Sequence, residues 1–120
     1  MEITHVTVRL SNLAADGLPY EADFLVDTGA IDCLVPASRL REAGVREEGR
    51  AVYELANGNV VEYTFGFARI GFMGAETVGQ VVFGPEGCEP ILGVVALENT
   101  GIGIDPATRT LERLPAKPIK

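Results

Sequence analysis

Carboxylates are the side chains most able to carry chemistry in this sequence of 120 residues, which has 17 acidic residues, two cysteines and one histidine. Cys33 and Cys88 form no CxxC or Cys/His cluster, and two cysteines do not make a disulfide framework. The single histidine, His5, lies near the N-terminus and excludes most Ser/His, Cys/His and zinc chemistry. We therefore predict that both cysteines are reduced and buried and that no metal site is present.

Asp27 stands out among the acidic residues because it follows a continuous apolar segment, Phe24-Leu25-Val26, and opens the turn Asp27-Thr28-Gly29-Ala30. Burial would raise the pKa of such a carboxyl group unless hydrogen bonds compensate. Backbone N–H groups of a tight turn can supply these bonds, and Gly29 permits a close approach because it has no Cβ. The tripeptide Asp-Thr-Gly leaves two interpretations open: a functional carboxylate aimed outward, or an Asx turn that only closes a loop.

Length and composition predict one compact globular domain, with 47% hydrophobic and 22% charged residues. The net charge of −7 has the wrong sign for binding nucleic acid or anionic lipid, so neither is a predicted partner. The first residues lack the features of a signal peptide, and no apolar run reaches the roughly 18 residues of a membrane span. We predict a soluble protein of the cytoplasm.

Fourteen glycines and seven prolines separate short segments rich in Val, Ile, Phe and Thr. This pattern is typical of many short strands joined by tight turns, so we predict a mainly antiparallel β domain. The predicted strands are 3–10, 20–26, 64–72, 76–83, 102–105 and 110–114. Start and stop signals predict a helix of about two turns at 38–43, and the segment 91–98 is predicted to begin as a buried strand and become helical before Gly101.

The dipeptide Asn57-Gly58 predicts a β-hairpin over residues 52–63, because a type I′ turn needs positive φ at both central residues. A two-residue turn would place Leu55 opposite Val60. The arms are only half apolar, so we predict that this hairpin projects partly from the core.

In order and spacing, these features resemble the retropepsin-like aspartic proteases, the retroviral-type peptidases and their bacterial relatives. The resemblance covers roughly Val6 to Leu114 and rests on Asp27-Thr28-Gly29-Ala30, Leu34-Val35, the Asn57-Gly58 hairpin about thirty residues further on, and Ile91-Leu92-Gly93. It implies a closed, β-barrel-like acid protease fold with one or two short helices. It also implies a bacterial-type, single-domain member spanning 1–114. The terminal residues 115–120 are predicted, from their position and composition, to be a frayed tail.

The resemblance also implies a role for individual residues. Asp27 is the catalytic residue, Thr28 and Gly29 support the active-site geometry, and Gly29 and Ala30 contact the substrate. The hairpin tip at Ala56, Asn57 and Gly58 matches the flap, which closes over an extended peptide. Ile91, Leu92 and Gly93 match a strand that passes behind the catalytic turn and supports it.

A single Asp-Thr-Gly sequence predicts a homodimer, because the family's reaction needs two carboxylates around one water, one ionised and one protonated. The other aspartates lie outside any such turn: Asp16, Asp23, Asp32 and Asp105. In a twofold dimer, Asp27 of each chain would face its own copy. Two charges about 3 Å apart at an effective dielectric near 20 repel by roughly 5 kcal/mol, so the pair should share one proton. This mechanism implies no metal and no organic cofactor.

The predicted function is therefore an aspartic endopeptidase that acts on peptides or unfolded proteins. The alternative is a non-catalytic module that keeps the same dimeric fold and binds peptides or a partner protein. A third interpretation is a structural β domain in which Asp-Thr-Gly occurs by chance.

Overall fold

The structure is a computed structural model that describes residues 2–117 and 119, with side chains from Thr4 onward. The described chain forms strands and helices in this order: β1 (Glu2–Ser11), β2 (Tyr20–Asp27), β3 (Cys33–Pro36), α1 (Ala37–Glu42), β4 (Gly49–Glu54), β5 (Val60–Phe72), β6 (Ala75–Gly84), β7 (Ile91–Leu92), α2 (Val94–Thr100), β8 (Ile102–Asp105) and β9 (Thr110–Arg113). In this part of the chain, neither helix is long and apolar enough to cross a membrane. The predicted mainly β class is confirmed.

Seven strands form one sheet in the order β1-β2-β7-β3-β6-β5-β4. An additional pairing between β1 and β5, from Arg9 opposite Gly71 to Ser11 opposite Arg69, joins six of these strands into a ring. Only β4 lies outside this ring, and it pairs with β5. Two pairings are parallel, β2 with β7 and β3 with β6. The hairpin β8–β9 forms a separate two-stranded sheet.

The core lies inside this ring and is built from alternate residues of its strands, as the twofold side-chain period of a strand requires. Its fully buried strand residues are Val8, Leu10, Phe24, Val26, Val35, Ala68, Ile70, Val81 and Leu92, and Leu40 of α1 belongs to the same cluster. The continuous apolar segment 24–26 predicts burial on both faces of its strand, but this is wrong for the single chain because Leu25 is only half-buried. Both cysteines are free; Cys33 is buried as predicted, whereas Cys88 is only partly buried.

Both predicted helices are present, each near the predicted position. α1 buries Leu40 and is followed by Gly44, whose φ of 82° stops the helix. α2 follows β7 directly and ends at Gly101, which has φ 71° and a left-handed conformation. A residue without a Cβ adopts that conformation at little cost, which explains why the stop signal was readable from sequence.

The hairpin formed by β4 and β5, which we call the flap hairpin, is present, but its predicted register is wrong by one residue. Val60 lies opposite Glu54, and Leu55 N donates to Asn59 O at 2.8 Å. The loop therefore has three residues, 56–58. Its turn is closed by Gly58 N donating to Leu55 O at 2.9 Å, and Gly58 has φ 89°. This is a type I turn followed by a left-handed glycine, the usual three-residue hairpin.

Candidate active site

Successive side chains of β2 point to opposite faces of the strand, and this alternation sets the face on which Asp27 lies. Phe24 and Val26 point into the core and are fully buried, so Leu25 and Asp27 lie on the opposite face of the strand. Asp27 is the last residue of β2 and is half-buried, while Thr28 and Gly29 after it are exposed. The carboxyl group therefore reaches the surface of the single chain at the end of a rigid strand.

The turn holds one carboxylate oxygen of Asp27 and leaves the other unbonded. Gly29 N donates to Asp27 Oδ1 at 2.9 Å, and Ala30 N donates to the main-chain oxygen of Asp27 at 3.1 Å. Within the described residues, Asp27 Oδ2 accepts no hydrogen bond. A Cβ on Gly29 would lie 3.2 Å from Asp27 Oδ1, so glycine allows this close contact. The Asx turn is therefore present, and it fixes the direction in which Asp27 Oδ2 points.

The loop after the turn is held from behind by the start of α2. Val94 N donates to Ala30 O at 2.8 Å, and Val95 N donates to Ile31 O at 3.2 Å. A Cβ on Gly93 would lie 2.5 Å from Asp32 O and 2.6 Å from Ile31 O. Backbone thus packs directly on backbone at Gly93, and the position of the loop depends on that contact.

Strand β7 completes this support. Ile91 lies opposite Leu25 in a parallel pairing and opposite Leu34 in an antiparallel one, so β7 lies between β2 and β3. Leu25 N also donates to Pro90 O at 2.9 Å. The segment Ile91-Leu92-Gly93 therefore lies behind the Asp27 turn.

The other described aspartates are engaged elsewhere. Asp16 accepts from Asn12, Asp23 accepts from Thr7, and Asp105 accepts from the backbone of Ala107. None of them is hydrogen-bonded to the Asp27 turn. The described residues also contain no group of three or more His, Cys, Asp or Glu side chains arranged to hold a metal ion.

Asp32 lies in the loop that follows the Asp27 turn, residues 30–32, which we call the site loop. The sequence analysis assigned this residue no role. Its Oδ2 accepts a hydrogen bond from the hydroxyl of Tyr53 on β4 at 3.1 Å, and that hydroxyl accepts from Gln80 Nε2 on β6 at 3.2 Å. Partial burial raises the pKa of Asp32, and the hydrogen bond from Tyr53 partly opposes this rise. The three residues are far apart in sequence and follow no motif, so no local signal points to their contact.

Asp32→Asn is expected to make the protein more stable at pH 7. Because the folded-state pKa of Asp32 is raised, the carboxyl group favours folding most below its unfolded pKa of about 3.9. That contribution is lost as pH rises through the folded pKa, whereas an asparagine does not titrate. In thermal unfolding from pH 3 to 8, the Tm of the variant minus the Tm of wild type should increase as pH rises. A variant less stable than wild type at pH 7 would contradict this sign.

Residues 56–58 at the tip of the flap hairpin, which we call the flap loop, are not hydrogen-bonded to the Asp27 turn. Ala56, Asn57 and Gly58 are all exposed at the tip of the flap hairpin, and Asn57 Oδ1 accepts from Asn59 N at 2.9 Å. The hydrogen-bonded link between the hairpin and the site loop runs through Tyr53 and Asp32. The structure thus groups residues 27–30 in one turn and keeps 56–58 in a separate loop.

Two surface pockets lie away from both segments. One pocket is lined by residues such as Asn12, Arg46 and Phe67, and the other by residues such as Leu18 and Arg39 beside α1. Neither lining includes the Asp27 turn or the flap loop. Thr28, Gly29 and residues 56–58 are exposed, so the candidate site lies at the surface of the single chain.

Comparison with known proteins gives matches by structure only, since no family model and no curated protein sequence matches the chain. The solution structure of simian foamy virus (mac) protease matches with a TM-score of 0.55 at 13% identity, covering 78% of this chain and 91% of that one. EIAV protease in complex with the inhibitor HBY-793 matches with a TM-score of 0.61 at 19% identity, covering 82% and 88%. The chain therefore has the fold of the retroviral proteases, as its sequence predicted.

Proposed function

We propose that this chain, which has the retropepsin-like fold, is an aspartic endopeptidase with Asp27 as its catalytic residue. The observation that carries the proposal is the Asp27 turn, in which Gly29 N binds Oδ1 and Oδ2 stays unbonded at an open surface. Thr28 and Gly29 support the geometry. Gly29, Ala30 and the flap loop at Ala56, Asn57 and Gly58 contact the substrate.

A second copy of the chain supplies the second carboxylate. In a twofold dimer the two Asp27 side chains face each other, and roughly 5 kcal/mol of repulsion at about 3 Å keeps one proton on the pair. The open site of the single chain and the engagement of the other aspartates support this arrangement.

The reaction is direct hydrolysis. The ionised carboxylate takes a proton from water, the resulting hydroxide bonds to the peptide carbonyl carbon, and the protonated carboxyl group donates to the carbonyl oxygen. Proton transfer to the leaving nitrogen then breaks the C–N bond without an acyl-enzyme. Substrate lies as an added strand between the flap hairpin and the site loop, with its backbone paired to both. The mechanism needs no cofactor.

Activity per molecule should fall on dilution, because the monomer holds only one of the two carboxylates. Light scattering should show a dimer at high concentration, and specific activity should follow the dimer fraction as the protein is diluted. Cleavage with unchanged specific activity from a protein that light scattering shows to be monomeric would contradict the proposal.

The test of function itself is cleavage of an unfolded protein between pH 4 and 7, followed by mass spectrometry of the products. Cleavage of internal peptide bonds is the expected result. Binding of peptides without cleavage, by wild type and by a variant that lacks the Asp27 carboxylate, would favour the alternative of a binding module on the same fold.

We further propose a bacterial-type affiliation, a cytoplasmic location and no nucleic acid or membrane partners. We also propose that the domain spans 1–114 with a tail at 115–120. Arg113 ends β9 and Leu114 N donates to Gly101 O at 2.8 Å, which supports this boundary. Met1, Pro118 and Lys120 lie outside the described residues.

A further inference from the structure

A chain of two hydrogen bonds joins three elements around the site loop. Asp32 follows the Asp27 turn, Tyr53 lies on β4 of the flap hairpin, and Gln80 lies on β6. The Tyr53 hydroxyl donates to Asp32 Oδ2 at 3.1 Å and accepts from Gln80 Nε2 at 3.2 Å. All three side chains are partly buried. We call this group the Tyr53 network.

The flap hairpin continues from the ring of strands through β5, and its outer part buries little apolar surface. β4 is the last strand of the sheet and pairs with β5 alone. The exposed fractions of Val52 and Val60 are 66% and 65%, so their side chains bury little apolar surface against the domain. With so little burial, a single directed hydrogen bond has a large share in setting where the hairpin lies.

We propose that Tyr53 and Asp32 are positioning residues that fasten the flap hairpin to the site loop, and that ionisation of Asp32 tightens this fastening. The proposal rests on the endopeptidase function and adds to it a control of flap position by a carboxyl group other than Asp27. Neither residue takes part in bond breaking.

The proton arrangement explains the dependence on charge. Burial raises the pKa of Tyr53, so its hydroxyl stays protonated and able to donate through the acidic and neutral range. An ionised Asp32 accepts a charge-assisted hydrogen bond, which is roughly twice as strong as a bond to the neutral acid. Since Gln80 already donates to the Tyr53 oxygen, the hydroxyl proton must point to Asp32. The Tyr53–Asp32 hydrogen bond is therefore stronger above the pKa of Asp32 than below it, although burial makes ionisation of this carboxyl group unfavourable overall.

No other charged group in the described structure faces Asp32 and could produce this dependence on pH. The titratable groups that face it are Tyr53 on β4 and Cys33 on β3, where burial raises the thiol pKa to about 11. Both are neutral over the working range. Gln80 on β6 and Gly93 before α2 carry no charge, and no ion pair reaches Asp32 within the described residues.

The experiment compares Tyr53→Phe, Asp32→Asn and the control Tyr63→Phe. Tyr63 lies on β5 with its ring 6.3 Å from that of Tyr53, and its hydroxyl has no hydrogen bond in the described structure. Nitrogen-15 relaxation gives order parameters for residues 55–59 between pH 3 and 8, without any need for activity. In parallel, KM and kcat are measured for a peptide substrate.

Wild type and Tyr63→Phe should show flap order parameters that rise with pH as Asp32 ionises. In Tyr53→Phe they should be low at every pH, and in Asp32→Asn they should stay near the low-pH wild-type values, because a neutral amide still accepts a weaker bond. Loss of one partly exposed hydrogen bond should raise KM about fivefold in Tyr53→Phe, with kcat changed less than twofold.

Flap order parameters that do not depend on pH in wild type, or that are unchanged in Tyr53→Phe, would overturn the proposal even if the protein cleaves peptides. The expected relaxation pattern in a protein that cleaves nothing would support the Tyr53 network and contradict the endopeptidase function. A fall in kcat as large as the rise in KM would assign Tyr53 to the chemistry and also overturn its role as a positioning residue.

Discussion

Asp27→Asn is expected to lower kcat/KM for peptide cleavage by about 10³-fold or more, because the pair then lacks the carboxylate that takes the proton from water. The change should leave the fold intact. An asparagine oxygen has the same position as Asp27 Oδ1 and can still accept from Gly29 N.

The measurement is kcat/KM from pH 3 to 8, with light scattering on the same samples. Asp23→Asn is the matched control. Asp23 lies on the same strand and is exposed, and within the described residues its side chain bonds only the hydroxyl of Thr7. This control should keep wild-type activity. An Asp27→Asn protein that cleaves at the wild-type rate would show that any peptidase activity comes from another site.

Gly93→Ala should cost about 3 kcal/mol in the free energy of unfolding and lower kcat/KM by about 100-fold. The backbone angles are not the reason, because φ −86° and ψ 170° suit any residue. The reason is space: an added Cβ would lie 2.5 to 2.6 Å from backbone atoms of Ile31 and Asp32, and backbone cannot rotate away. Overpacking of this kind costs about 1–3 kcal/mol or more, and a shift of about 1 Å in a catalytic loop can cost about 10² in rate.

Gly71→Ala provides the comparison for this effect. Gly71 lies in β5, and its added Cβ would be 3.6 Å from the nearest atoms, an ordinary contact. The free energy of unfolding of that variant should lie within about 1 kcal/mol of the wild-type value, and its activity should be unchanged. Urea unfolding and peptide cleavage of both variants give the test. If Gly93→Ala matches Gly71→Ala in both measurements, the packing of Gly93 does not hold the site loop in place.

The elements that sequence predicted well are those with strong local signals. Asp27 ends an apolar strand and starts a turn that needs Gly29, and α2 stops at Gly101 because a left-handed residue ends it. Each signal depends on residues within a few positions of one another. Such short-range preferences do not depend on the tertiary contacts that the rest of the chain makes.

The turns of two hairpins, β4–β5 and β5–β6, show the limit of local signals. Asn57-Gly58 favours a type I′ turn, yet Gly58 alone adopts positive φ there and the loop has three residues. The tight two-residue turn with positive φ at both positions occurs at Met73-Gly74, with φ 52° and 77°. The pairing of β5 with β6 fixes that turn, since eight consecutive residue pairs from Phe65–Val82 to Phe72–Ala75 outweigh the strain at one methionine.

By itself, then, the sequence determined the strand that carries Asp27, the glycine turn that holds its carboxylate, and the mainly β class, since these follow from the chemistry of adjacent residues. Only the tertiary structure decided that β1 closes on β5, that Gly93 packs against the backbone of the site loop, and that Tyr53 reaches Asp32. These contacts join residues distant in the chain, and their geometry depends on how all the strands pack together.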